Sequence, residues 1–229
     1  LSLPLLASLE VYARSGLYPE IPGGLLAGLG GDWRFLLTSL PWWLALAALL
    51  SYSDLFGLPL RDEFPQYRQR AMWPLVILAL GFVFAACFLP GQVPPIDYLP
   101  LLNPLELSQV FVLLLLVRFA AHELGRGADA FRVVLALLAF GVLSAAVLRG
   151  VHHFGNESWS LDLLARPKAH AALSWTWTIV GAAAMGFGAR ALVRGAWIAG
   201  AVLLGIVVLK LLLIDMRFLG TLSGIVSVL

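Results

Sequence analysis

The sequence predicts an all-α fold: a polytopic transmembrane helical bundle of about six full spans plus a truncated last span. Three observations predict it. The first is composition, because 61% of the 229 residues are hydrophobic and 12% charged, against roughly 45–50% and ~25% in a soluble domain. Mean hydropathy is +0.92, more apolar surface than a water-soluble core can absorb. The second is that the apolar residues come in runs near the ~20 residues a helix needs to cross a ~30 Å hydrocarbon layer. The third is the pair of runs Ala172–Ala189 and Ala196–Ile214, separated only by Arg190 to Gly195. A connection that short folds two helices back as an antiparallel pair, and Arg190 and Arg194 then mark one membrane face.

Leu1–Val11 is apolar but too short to cross alone, and Pro4 restricts where a helix could begin. Ser15–Gly31, rich in glycine and proline, reads as a loop. Trp33–Tyr52 is the first full span; Pro41 frees a carbonyl and predicts a kink or a fresh helix start near Leu40. Ser53–Arg70 collects Asp54, Arg61, Asp62, Glu63, Arg68 and Arg70, which belong in water or among headgroups.

Met72–Leu89 is the second span, with Trp73 and Pro74 in its expected first turn. Pro90–Pro104 contains prolines at 90, 94, 95, 100 and 104 and no Lys or Arg, predicting an extended connection with Tyr98 near the interface. Leu105–Ala121 and Ala128–Leu148 are the third and fourth spans. Arg149–Lys168 is the long polar connection of the second half, and the hairpin follows it. A last span starts at Leu219 and is still in progress at Leu229, and the chain opens LSLPLL without Met or a signal-peptide pattern. Residues 1–229 are therefore expected to be one transmembrane domain from a longer protein.

Positive charge sets the expected orientation. Arg61, Arg68, Arg70, Arg118, Arg126, Arg132, Arg190 and Arg194 are denser per residue than Arg14, Arg34, Arg149, Arg166, Lys168, Lys210 and Arg217 in the alternate connections. The connections 53–70, 122–129 and 190–195 are expected in the cytoplasm, with 90–104 and 149–168 outside.

Within the hairpin, Ala182/Gly186, Ala184/Gly188, Ala196/Gly200 and Ala201/Gly205 lie four residues apart. Such stripes of small residues let backbones approach closely in lipid. Ser174, Thr176 and Thr178, alternating with Trp175 and Trp177, predict interhelical hydrogen bonds and an aromatic belt.

Net charge is only +2, so no electrostatic case exists for a nucleic-acid partner. The expected partners are membrane lipids, the remainder of the parent polypeptide and a further membrane protein. Cys87 stands alone in an apolar run and reads as a buried thiol. No Walker A, GxGxxG, GxSxG or CxxC pattern is present, which argues against ATP-driven work within this chain, and no cofactor is expected.

The catalytic candidates are His152, His153, Glu157 and Asp162, imidazoles and carboxylates on one exterior connection with His170 beside it. No zinc spacing matches, so no metal is expected. The plain alternative is a hydrated loop whose Trp159, Leu161, Leu163 and Leu164 rest on headgroups. Intramembrane charge supplies the substrate-path candidates Lys210, Asp215 and Arg118, since an ionisable group within a span points to function. A spacing of five residues sets Lys210 and Asp215 on different faces, and snorkelling explains Lys210 without a ligand. Arg118 with His122 and Glu123 also reads as an interfacial charge cluster.

PLLNPLEL at Pro100–Leu107, ALSWTWTIVGAAAMGFGAR at Ala172–Arg190, GAVLLGIVVLKLLLID at Gly200–Asp215 and LGTLSGIVSVL at Leu219–Leu229 carry a family likeness. In these blocks the chain resembles the carboxy-terminal part of the large bacterial polytopic membrane proteins grouped as domain of unknown function 2339, over the latter half to two-thirds of its length. It departs from that pattern at Gly224, where a basic residue is usual, and at Val228, where an aromatic is common. The resemblance implies a bacterial inner-membrane location, further spans upstream and no assigned activity.

Three functions are compatible with these features. The leading one is a non-catalytic or transport-like module that handles a lipid or lipid-linked envelope substrate, suggested by proline-broken helices beside a small-residue hairpin. The alternatives are a membrane-embedded transferase or hydrolase acting on lipid-linked glycan at the exterior interface, and a structural scaffold.

Overall fold

The structure, a computed structural model, describes residues 31–51 and 64–215. The expected segments Leu1–Val11 and Leu219–Leu229, and most of Ser15–Gly31 and Ser53–Arg70, lie outside the described residues. Among the described residues six long helices follow one another: α1 (Gly31–Ser51), α2 (Phe64–Ala86), α3 (Pro104–Phe119), α4 (Asp129–Gly155), α5 (Pro167–Arg190) and α6 (Arg194–Lys210). No β-strand occurs among the described residues beyond an isolated bridge between Val93 and Ile96. Each expected full span falls on one of these helices. Asp32–Ser51, Pro104–Leu124, Asp129–Gly155 and Arg194–Leu213 are long and apolar enough to cross a membrane, and Arg70–Ala86 is a shorter apolar stretch. Ser174, Trp175, Thr176, Trp177 and Thr178 dilute the apolar character of α5.

The prolines do not break α1 or α2. Pro41 lies within α1, and Pro74 lies inside α2, which begins at Phe64 rather than at Trp73. In lipid the remaining backbone groups have no water to bond instead of one another, so a helix stays bonded on either side of a proline. Irregularity appears elsewhere. α3 runs into a π-helical turn at Ala120–Leu124 and a 3-10 turn at Gly125–Ala128, and α6 into a π-helical turn at Leu211–Asp215.

The chain divides into two compact units, with the boundary between Arg149 and Gly150. In the first, one face of α2 is buried at Met72, Leu75, Val76, Ala79, Phe82, Val83 and Ala86. That three-and-four spacing is the stripe of a helix packed on one side. Leu36, Trp43 and Leu46 of α1 and Val112, Leu115, Leu116 and Phe119 of α3 join the same core. Trp43 meets Phe82 at 4.4 Å between ring centres, and Phe35 stacks on Phe82 at 5.1 Å. The opposite face of α2 is also apolar, with Ile77 and Phe84 exposed, as lipid contact requires.

α3 starts where its sequence says it should. Asn103 is its N-cap, accepting the N–H of Leu105 at 2.9 Å, and Pro104 needs no partner at the first helical position. The preceding connection is tied to α1, since Trp33 donates to the carbonyl of Pro94 at 2.7 Å and Asp32 accepts the N–H of Gln92 at 2.7 Å.

In the second unit α5 and α6 form the expected antiparallel hairpin. The turn is a Schellman-type cap: Leu192 is left-handed with φ 56°, and the N–H of Val193 returns to the carbonyl of Gly188 at 3.0 Å. The small-residue expectation holds at two of its glycines. A Cβ on Gly188 would lie 2.4 Å from the backbone nitrogen of Trp197, and one on Gly200 2.5 Å from the carbonyl oxygen of Gly181. Gly186 and Gly205 would meet nothing within 4 Å and do not form the contact. Gly181, which belonged to none of the predicted pairs, supplies the third close approach.

Arg149–Lys168 is not one continuous connection. α4 continues to Gly155, and the polar link reduces to Asn156–Arg166, with a 3-10 turn at Leu161–Ala165. Arg149 and both adjacent histidines are therefore helical.

Candidate functional site

His152, His153 and Glu157 come together at the end of α4. The His152 and His153 rings meet edge to face at 4.6 Å, and Trp159 lies 5.7 Å from His152. His152 Nδ1 is in hydrogen-bond contact with the backbone carbonyl of Glu157. The carboxylate of Glu157 lies 3.5 Å from the Arg166 guanidinium and 3.4 Å from the Lys168 amine. Asp162 is exposed on the 3-10 turn. Among the described residues no three His, Cys, Asp or Glu side chains gather as metal ligands.

Lys210 reaches back across the hairpin. Its amine donates to the carbonyl of His170 at 2.9 Å and to Ser174 Oγ at 2.6 Å, clasping the first turns of α5. Ser174 thus makes an interhelical bond, whereas Thr176 and Thr178 bond to the carbonyls of Ala172 and Ser174 on their own helix. The side chain of Asp215 lies outside the described residues. Arg118 is exposed, with Nη2 3.5 Å from the carbonyl of Leu50.

The tightest polar cluster was not among the predicted sites. Arg149 is completely buried: Nε donates to the carbonyl of Leu89 at 3.0 Å and Nη2 to that of Ala86 at 2.6 Å. Nη1 sits 3.2 Å from Gln109 Oε1 and 3.4 Å from Glu106 Oε1. The guanidinium thereby caps the end of α2, where unsatisfied carbonyls and the helix dipole favour a cation. Glu106 also accepts the Tyr98 hydroxyl at 2.7 Å and the N–H of Leu101 at 2.6 Å, holding Leu101 in its left-handed conformation of φ 66°. Asn103 donates to the carbonyl of Gly91 at 2.8 Å. Burial, then the hydrogen bond and charge of Glu106, push the Tyr98 phenol well above its usual range. Glu106 and Gln109, three residues apart at the head of an apolar helix, are the signal that could have located this cluster.

A third feature is open rather than closed. A groove of about 460 Å³ separates α1 from α2, lined by Phe35, Trp42, Trp43, Ile77, Leu78, Gly81, Phe82 and Ala85. Thr38 and Ser39 also line it, but each hydroxyl bonds back to its own helix, Thr38 to Arg34 at 2.7 Å and Ser39 to Phe35 at 2.8 Å. The buried indole N–H of Trp43 has no acceptor among the described residues.

No curated protein and no solved structure matches the chain. The family model described as predicted membrane protein (DUF2339) matches residues 5–229, extending the likeness from the latter part to nearly the whole sequence. With its helices long and apolar enough to cross a membrane, the chain belongs to this family of multi-pass membrane proteins of unknown function.

Proposed function

We propose that this chain is a non-catalytic membrane module that seats an acyl chain of a lipid or lipid-linked substrate in the groove between α1 and α2, on behalf of a larger envelope protein. The observation that carries the reading is the groove itself, about 460 Å³ of almost wholly carbon-lined space with its hydroxyls turned into their own helix. Aromatic walls and few polar groups suit an alkyl ligand. The ionisable groups support a non-catalytic role. Glu157 is held by two cations, Lys210 by a carbonyl and a hydroxyl, and Arg149 by four oxygens.

The test fills the groove without disturbing the core. A side chain at Gly81 meets nothing within 4 Å at its Cβ, so Gly81→Leu projects into open space. Lipid retained after detergent extraction and repurification, read as bound adducts by native mass spectrometry, is expected to fall by one lipid adduct in Gly81→Leu with the melting temperature unchanged. Retention equal to wild type in a folded Gly81→Leu protein ends the proposal.

A further inference from the structure

A second groove, of about 320 Å³, runs between α3 and α4. Its apolar walls are Leu113 and Val117 of α3 and Leu135, Ala136 and Ala139 of α4, and near the connecting turns it is lined by Ala120, Ala121 and Arg132. At 1.5 Å per residue, Leu113 to Ala121 spans about 12 Å, enough for a stretch of extended alkyl chain. The groove therefore has carbon along its length and a cation at one end.

We propose that this groove holds one acyl chain of an anionic phospholipid, with its phosphate at Arg132. Arg132 is exposed and holds its place by donating to Asp129 at 3.0 Å and to the carbonyl of Gly125 at 3.3 Å. Those two bonds orient the guanidinium and leave other N–H groups of its fork open to a phosphate oxygen, the planar recognition that arginine provides. The π-helical turn Ala120–Leu124 and left-handed Gly125, with φ 55°, form the connection from which the carbonyl of Gly125 reaches Arg132. Arg118 and His122 add exposed basic side chains to the same end of α3. Asp129, 85% exposed and bonded to Arg132, and Glu123 in the π-helical turn are the opposing charges at this end. An anionic lipid complements both the apolar length and the charged end, whereas a free phosphate ion uses only the second.

The inference rests on the lipid-handling reading only in taking an acyl chain as ligand; the groove, the side chains and the test are separate. The protein is reconstituted in vesicles of equal parts phosphatidylglycerol and phosphatidylethanolamine, re-extracted, and its retained lipid quantified. Wild type is expected to retain phosphatidylglycerol over phosphatidylethanolamine by at least threefold. Arg132→Gln abolishes that preference, and Ala136→Leu lowers the retention of both lipids. Asp129→Asn raises phosphatidylglycerol retention, an increase that misfolding cannot imitate. Equal retention of the two lipids by wild type, an unaltered preference in Arg132→Gln, or displacement of the lipid by millimolar inorganic phosphate overturns the proposal. A phosphatidylglycerol preference that is lost in Arg132→Gln and kept in Gly81→Leu separates this site from the α1–α2 groove.

Discussion

Arg149 concentrates most of what is decided at the scale of single residues. Its charge is fully buried and compensated by Glu106, Gln109 and the carbonyls of Ala86 and Leu89. Removing one partner of a buried ion pair strands the other, typically at about 3–5 kcal/mol. Arg149→Met is therefore expected to lower stability by about 3 kcal/mol in a mixed-micelle unfolding titration. Adding Glu106→Gln recovers part of the loss by discharging the stranded carboxylate: its amide oxygen still accepts the Leu101 N–H, its NH2 faces the Tyr98 oxygen, and the Tyr98 hydroxyl keeps the carbonyl of Ala146 as acceptor. Tyr98 adds a pH dependence. Its folded pKa is raised above the ordinary value of 10.0, so above that value the native state holds a proton that the unfolded state has released. Stability must then fall as pH rises beyond about 10. A melting series from pH 8 to 11 is expected to decline at its alkaline end and to decline less in Tyr98→Phe.

At the scale of elements, the hairpin of α5 and α6 depends on three glycines. Gly181, Gly188 and Gly200 sit where a Cβ would strike the facing helix, whereas Gly186 and Gly205 face open space. Four-residue spacing identified the right helices and Gly188 and Gly200 within them. It could not choose among stripes, because a helix packed on one side and bathed in lipid on the other carries small residues on both. Gly200→Ala and Gly188→Ala are each expected to cost about 1–3 kcal/mol through forced separation of the backbones. Gly186→Ala and Gly205→Ala are expected to be neutral or stabilising. The same unfolding titration, run on all four variants, separates the two sets.

For the whole molecule, the testable property is the sidedness that its positive charge predicts. Leu192, 90% exposed in the turn after α5, and Asn156, exposed in the link before it, stand at opposite ends of that helix. In a Cys87→Ser background, Leu192→Cys is expected to react with an impermeant maleimide only from the cytoplasmic face and Asn156→Cys only from the other. Reversed labelling means the orientation is inverted, and labelling of both from one side means α5 does not cross.

Helical class, the six principal helices and the hairpin were legible because they depend on quantities local to the chain: run length, hydropathy and the shortness of a connection. Membrane surroundings remove most of what would have located a site, since lipid-facing and buried faces are both apolar and amphipathic contrast disappears. The sequence by itself therefore determined that this is a multi-pass helical membrane protein and, in outline, where the six helices of the described residues lie. Only the tertiary structure decided that Arg149 leaves the water of a loop for the end of α2, that Lys210 clasps its own hairpin, and that carbon-lined grooves remain between neighbouring helices. The reason is that each depends on which side chains of distant segments meet, and in lipid that is settled by close packing and by the high cost of leaving a polar group without a partner.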